Sequence, residues 1–229
     1  YLDNILINTN VLEAARVFKT KKVLSLLSTC IYPDEVTYPL IEDQIHAGRP
    51  HHSNFAYAHT KRMIDVQSRA YRKQYGCNFI TAVPNNLYGE ADNYDLGNSH
   101  VIPAIIRKMY EAQKKKTDVI LWGDGSPLRE FTYSLDLARA LLLLLDGYDN
   151  PSPINVGNTE EISIKHVAET IAEKLNFTGD IIWQSEMPSG QYRKPSDNSK
   201  FQKLFGMQYT QFDQALTNSC NWFIICLLY

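Results

Sequence analysis

Tyr57 and Lys61, four residues apart, are the first pair in this chain whose types and spacing do chemistry. On a helix, residues at that spacing share one face. An ammonium held near a phenol favours the phenolate and brings its pKa down from about 10. Such a tyrosine can give or take a proton near neutral pH. The pair by itself is also what an ordinary helix surface looks like, so its meaning depends on its company. Ser28 closes the apolar run 23–27, and a serine there can hydrogen-bond a carbonyl oxygen beside the Tyr57 hydroxyl. Cys30 follows two residues later. On spacing alone Cys30 reads as a small buried residue at a strand end, as most unpaired cysteines are.

The elements that must position these groups are legible in outline. Residues 23–27 form a short continuous apolar run, the pattern of a strand buried on both faces of a parallel sheet. Open α/β sheets place ligands at the carboxyl ends of such strands, where Ser28-Thr29-Cys30 falls. Residues 57–75 read as a helix that stops at Gly76. Residues 33–53 and 85–99 read as loops, the first with a short helix near 41–47. Helices are expected at 100–113, 134–145, 163–175 and 212–223, with Ser163 as an N-cap. Strands are expected at 78–83, 119–122, 154–157 and 181–184, with a short extended piece at 130–133 and a polar loop at 187–199. Alternating strands and helices predict an α/β protein with a parallel sheet.

Composition narrows the partners. Of 229 residues, 44% are hydrophobic and 21% charged, the balance of a soluble globular protein. A net charge of -2 and no basic run longer than Lys114-Lys115-Lys116 argue against nucleic acid held by bulk electrostatics. The closing stretch 222–229 is apolar but too short to span a bilayer. Cys30, Cys77, Cys220 and Cys226 have neither zinc-type nor disulfide-framework spacing, which fits a reducing, cytoplasmic setting. The chain opens on Tyr1 with helical periodicity rather than a signal peptide, and is expected to begin inside a longer protein.

Five local segments are more specific. They are Ser28-Thr29-Cys30-Ile31-Tyr32-Pro33, Pro84-Asn85-Asn86-Leu87-Tyr88-Gly89, Asp92-Asn93, Asn98-Ser99-His100-Val101-Ile102-Pro103, and Trp122-Gly123 leading to Arg129-Glu130-Phe131. With the Ser28–Tyr57–Lys61 arrangement they resemble the extended, nucleotide-sugar branch of the short-chain dehydrogenase/reductase superfamily. Within that branch they resemble the GDP-L-fucose synthase family, from Tyr1 to about Trp222. The resemblance implies a partial, Rossmann-like, doubly wound sheet lacking its first strands, with a smaller C-terminal α/β substrate domain. Residues 1–95 and part of 130–160 would form the first, and 96–229 mainly the second.

By the same resemblance the activity is NADPH-dependent 3,5-epimerisation and 4-reduction of GDP-4-keto-6-deoxy-D-mannose. Cys30 is then the base and His100 the acid. Tyr57 protonates the C4 oxygen, Ser28 steadies it, and Lys61 serves the phenolate and a cofactor ribose. The NADP(H) contacts would be Tyr57, Lys61, Pro84, Asn86, Leu87 and His100. Arg129 and Lys194 would meet the GDP diphosphate, Lys108 or its neighbour Arg107 a further phosphate, and Trp122 the nucleotide. Asn86 and Val101 fall where the family lines its sugar and guanine pockets. Helices 2–18 and 57–75 would pair in a homodimer, unless their apolar stripes simply cover the sheet. Two departures stand out. Asn85 replaces the family's usual threonine, and no Gly-rich turn for a dinucleotide pyrophosphate occurs. The chain alone is therefore expected to bind NADPH weakly and to be inactive by itself. Another nucleotide-sugar epimerase, reductase or dehydratase, or a non-catalytic nucleotide-sugar binder, remain alternatives.

Overall fold

The structure, a computed structural model, describes residues 1–187 and 192–226. Part of the expected polar loop at 187–199 and the last three residues of the apolar tail lie outside the described residues. The first half of the chain forms α1 (Leu2–Val17), β1 (Val23–Leu26), α2 (Phe55–Tyr75), β2 (Phe79–Pro84), β3 (Asn86–Tyr88), α3 (Val101–Lys115) and β4 (Val119–Trp122). The second half forms β5 (Leu128–Tyr133), α4 (Ser134–Gly147), β6 (Ile154–Val156), β7 (Glu161–Ser163), α5 (Ile164–Leu175), β8 (Ile181–Gln184), α6 (Ser199–Phe205) and α7 (Phe212–Cys226). Single 3-10 turns occupy Thr29–Ile31, Glu42–Gln44 and His52–Asn54. No helix among the described residues is long and apolar enough to cross a membrane.

The chain divides into two compact units. One comprises Tyr1–Asn85, Asp136–Thr159 and Pro195–Gln208; the other comprises Asn86–Leu135, Glu160–Lys194 and Tyr209–Tyr229. The first break falls at Asn85, earlier than the expected residue 95. Residues 195–208 also return to the first unit, because Leu40 pairs with Ser196 and exchanges backbone hydrogen bonds with Pro195 and Asp197. Nothing in the local sequence of that loop announces so distant a pairing.

In the first unit, β1, β2 and β6 form a parallel sheet in that order. β2 has neighbours on both sides and is buried along its whole length. Among the described residues β1 pairs with β2 alone, and its residues are half-buried, which corrects the expectation of a strand buried on both faces. The register sets Leu26 beside Ala82, so β1 and β2 end at the same edge of the sheet. α2 packs along α1, with Tyr71 donating to Glu13 at 2.8 Å and Gln67 to Thr9 at 2.7 Å. It ends where Gly76 takes a φ of 68°, a conformation that closes the last turn and suits a residue without Cβ. The connection from β1 to α2 is tied down rather than loose. The Tyr32 hydroxyl donates to Asn155 at 2.6 Å, and Asn155 donates to the carbonyls of Leu40 and Asp197. The buried Asp65 carboxylate meets His46 and Arg69, both at 2.8 Å.

In the second unit, β3, β5 and β7 form one sheet, parallel then antiparallel, and β4 pairs with β8 in parallel. Ile102, Ile105, Ile106 and Met109 recur at helical spacing and line the buried face of α3. They join Val167 and Ile171 of α5 and Leu216 of α7 in one core. β4 alternates buried and exposed residues, so Val119 and Leu121 enter the core while Trp122 stands 59% exposed. Ile106 is fully buried and Leu142 is 67% exposed. Ile106→Ala should therefore lower stability by about 2–5 kcal/mol in a denaturant titration, and Leu142→Ala by less than about 0.5 kcal/mol.

Candidate active site

Four of the residues singled out above meet in the first unit. Ser28 ends the β1 strand in an extended conformation and caps the 3-10 turn Thr29–Ile31. Its Oγ accepts the Cys30 N–H at 3.3 Å. The same side chain neighbours the Tyr57 phenol closely enough to lower its pKa. Cys30 lies half-buried as a free thiol in the middle of that turn. Lys61, one turn beyond Tyr57 on α2, donates from Nζ to the Leu26 carbonyl at 2.9 Å. That bond ties α2 to the carboxyl end of β1, which sequence reasoning had not located. Pro84, buried, ends β2 at the same sheet edge.

The electrostatics of Tyr57 differ from the sequence expectation. Burial pushes its pKa above the ordinary value, the charge of Cys30 adds to this, and the bond from Ser28 opposes both. Lys61 does not lower it. Its ammonium lies 5.9 Å from the centre of the Tyr57 ring and is spent on a backbone carbonyl. Burial also lowers the pKa of Lys61 itself. Tyr57 is thus a protonated phenol at neutral pH, set up to donate.

A second group of expected residues gathers in the other unit, around a cavity of about 250 Å³. Asn86, Val101, Trp122, Arg129 and Phe131 line it. Arg129 is half-buried on β5, donates to the Leu128 carbonyl at 2.7 Å, and has its pKa lowered by burial. Asn86 donates from its amide to the Glu130 carbonyl at 2.9 Å. Lys108 places its ammonium 5.7 Å from the Trp122 ring centre, whereas Arg107 is paired with Glu111 one turn along α3. His100 is exposed at the N-cap of α3, where its carbonyl accepts the Ala104 N–H. Leu87 is half-buried within β3, and Lys194 lies half-buried in the loop after β8, outside the cavity lining.

Sequence reasoning missed Ile164 and the role of the turn before Arg129. Gly125 has a φ of 76°, and a Cβ there would lie 2.9 Å from both the Trp183 ring and Lys165. The start of α5 holds that turn, with Lys165 N–H on the Gly125 carbonyl and Ile164 N–H on that of Pro127. The Gly-x-Gly-x-Pro spelling was the available signal; its partner helix was not.

The fold and the first group of side chains define a class: a parallel α/β protein with the serine, tyrosine and lysine of a carbonyl reductase or epimerase. Residues 1–157 match the NAD dependent epimerase/dehydratase family. The chain is 46% identical over 227 residues to a GDP-L-fucose synthase of Dictyostelium discoideum, covering 98% of this chain and 71% of that protein. It is 32% identical to the GDP-L-fucose synthase of Escherichia coli K12, covering 96% and 72%. A crystal structure of a GDP-L-fucose synthetase from Naegleria fowleri bound to NADP superposes with a TM-score of 0.97 at 41% identity, covering all of this chain and 74% of that one. The chain belongs to the NAD dependent epimerase/dehydratase family, among its GDP-L-fucose synthases.

The donors at the sheet edge suit part of a nicotinamide dinucleotide. A phenol hydroxyl and an ammonium, which carries three N–H donors and gives one to Leu26, match ribose hydroxyls. No Gly-rich turn for the pyrophosphate occurs in the sequence.

The Tyr57 environment makes a direct prediction. In a 13C-tyrosine NMR titration, with the resonance identified by its loss in Tyr57→Phe, the Tyr57 midpoint should lie above about 10. Ser28→Ala should raise it further and Cys30→Ala should lower it. Because the folded pKa lies above the unfolded one, this phenol's contribution to stability is present below about pH 10 and is lost as pH rises through the folded value.

Proposed function

We propose that this chain supplies the catalytic groups for the NADPH-dependent 3,5-epimerisation and 4-reduction of GDP-4-keto-6-deoxy-D-mannose to GDP-L-fucose. The observation that carries this reading is the turn shared by Ser28 and Cys30 against Tyr57, in a chain nearly half identical to a GDP-L-fucose synthase. That turn puts a thiol, an acceptor-donor hydroxyl and a protonated phenol in one place.

The C4 ketone acidifies the protons on C3 and C5. As a thiolate, Cys30 takes such a proton, and the C–H electron pair moves into the enolate, whose charge rests on the C4 oxygen. Ser28 and Tyr57 hydrogen-bond that oxygen as charge develops. His100 returns a proton to the opposite face as the general acid. Bound NADPH supplies the hydride for C4. Tyr57 gives its proton to the C4 oxygen, and its raised pKa keeps that proton available. With NADPH bound, Lys61 would hold the nicotinamide ribose, and Pro84, Asn86 and Leu87 would complete the cofactor contacts.

At the other end of the substrate, Arg129 meets the diphosphate with its planar fork, and Trp122 packs on the nucleotide. Lys108 is the further phosphate contact rather than Arg107, whose guanidinium is already engaged by Glu111. Lys194 joins them. The reading extends to a homodimer through α1 and α2, on which Leu2, Leu6, Val11, Met63 and Val66 are exposed. Its four free cysteines fit the cytoplasm.

Half-reactions test the assignment. Cys30→Ala should abolish exchange of the C3 and C5 protons with solvent deuterium and His100→Ala should abolish inversion at those centres, yet both retain reduction of an already epimerised ketone. Tyr57→Phe should lose about 10²–10⁴-fold in reduction and slow exchange by less, since Ser28 still serves the enolate oxygen. Undiminished exchange in Cys30→Ala would refute the thiol as base.

A further inference from the structure

A second cation follows Lys61 directly, and the mechanism above leaves it idle. Arg62 is 7% exposed. Its Nε donates to the Ile31 carbonyl at 2.6 Å, and one terminal nitrogen donates to the Gly48 carbonyl at 2.7 Å. The other terminal nitrogen is buried with no hydrogen-bond partner among the described residues. A guanidinium buried on carbonyls alone is costly, so the contacts it makes are the place to look for its purpose.

One of those contacts belongs to the residue after Cys30. Ile31 closes the turn in which Cys30 is the middle residue, and Ser28 opens it by accepting the Cys30 N–H. Cys30 therefore sits between two fixed points. One is the Ser28 hydroxyl; the other is pinned to α2, the helix that carries Tyr57 and Lys61. A planar fork holds two carbonyls in separate segments in fixed geometry; a lysine supplies a point charge without that rigidity. A clamp that served the loop alone would need only Gly48.

We infer that Arg62 is a positioning residue for the epimerisation: through the Ile31 carbonyl it fixes the turn that aims the Cys30 thiol. This rests on the reading of Cys30 as the base. Displacing a reacting group by about 1 Å is enough to lose about 10²-fold in rate. Tyr57 is carried by α2 itself and Lys61 keeps its own anchor on Leu26, so reduction depends on Arg62 far less.

The test uses the full chain with GDP-4-keto-6-deoxy-D-mannose. Arg62→Met and Arg62→Lys are compared with the unaltered chain for deuterium exchange at C3 and C5 without cofactor. They are also compared for reduction of the epimerised ketone, for the iodoacetamide alkylation rate of Cys30 followed by peptide mass, and for thermal unfolding. Exchange should fall about 10²-fold and the alkylation rate should change, while reduction falls by no more than about a tenth of that factor. Equal losses in both half-reactions, or unchanged exchange in a folded Arg62→Lys, would overturn the inference. An Arg62→Lys chain that does not fold would also overturn it, since the clamp would then serve the fold rather than the turn. Cys30→Ala, run alongside, separates the failures. If exchange is lost there but normal in Arg62→Lys, only the role of Arg62 falls. If exchange survives in Cys30→Ala, the assigned base falls and this inference with it.

Discussion

A single hydroxyl holds the two chemistries of the first unit together. The Ser28 Oγ accepts the N–H of Cys30 and sits beside the phenol of Tyr57, so one oxygen caps a turn and lowers the pKa of a group on the next helix. Its location follows from the sheet. β1 and β2 run parallel in register and stop together, and residues just past that edge emerge where the backbone ladder no longer needs them. A serine there caps the next turn, which is an ordinary structural habit of serine. Because the capped residue is a cysteine, the habit acquires a chemical consequence.

The helix α2 supplies the phenol beside this hydroxyl. Successive residues on it do different work because a helix rotates them to different sides. Tyr57 meets Ser28, Lys61 reaches the Leu26 carbonyl, and Arg62 turns to the carbonyls of Ile31 and Gly48. Asp65, fully buried, gathers His46 and Arg69. These bonds explain why the long connection before α2 keeps one shape despite its scant regular structure. They also explain the proton state of Tyr57. With Lys61 engaged by backbone, nothing offsets burial except the serine, and the phenol holds its proton.

Much of this was legible in the sequence, for identifiable reasons. Tyr57, Lys61 and Ser28 stood at strand-end and helix spacings, and those spacings depend on local geometry alone. The buried face of α3 was legible in the recurrence of Ile102, Ile105, Ile106 and Met109. What failed was whatever depends on distant partners. The Leu26 carbonyl as the seat of Lys61, the return of residues 195–208 to the first unit, and the short strands β3 and β7 arise from pairings far along the chain. The pKa direction of Tyr57 failed for the same reason. Helix spacing brings a lysine near a tyrosine, but only the three-dimensional structure shows that the ammonium has another partner.

The central claim is that one ketosugar oxygen is served by Ser28 and Tyr57 while Cys30 works on the adjacent carbons. A crystal structure of the full chain with NADP and a GDP-4-ketosugar analogue measures this directly. The account predicts the C4 oxygen within hydrogen-bond distance, about 3 Å, of both Ser28 Oγ and the Tyr57 hydroxyl, with the Cys30 sulfur facing C3 or C5. A sugar seated with its C4 oxygen on other donors, and the Cys30 sulfur turned away from the ring, would contradict it.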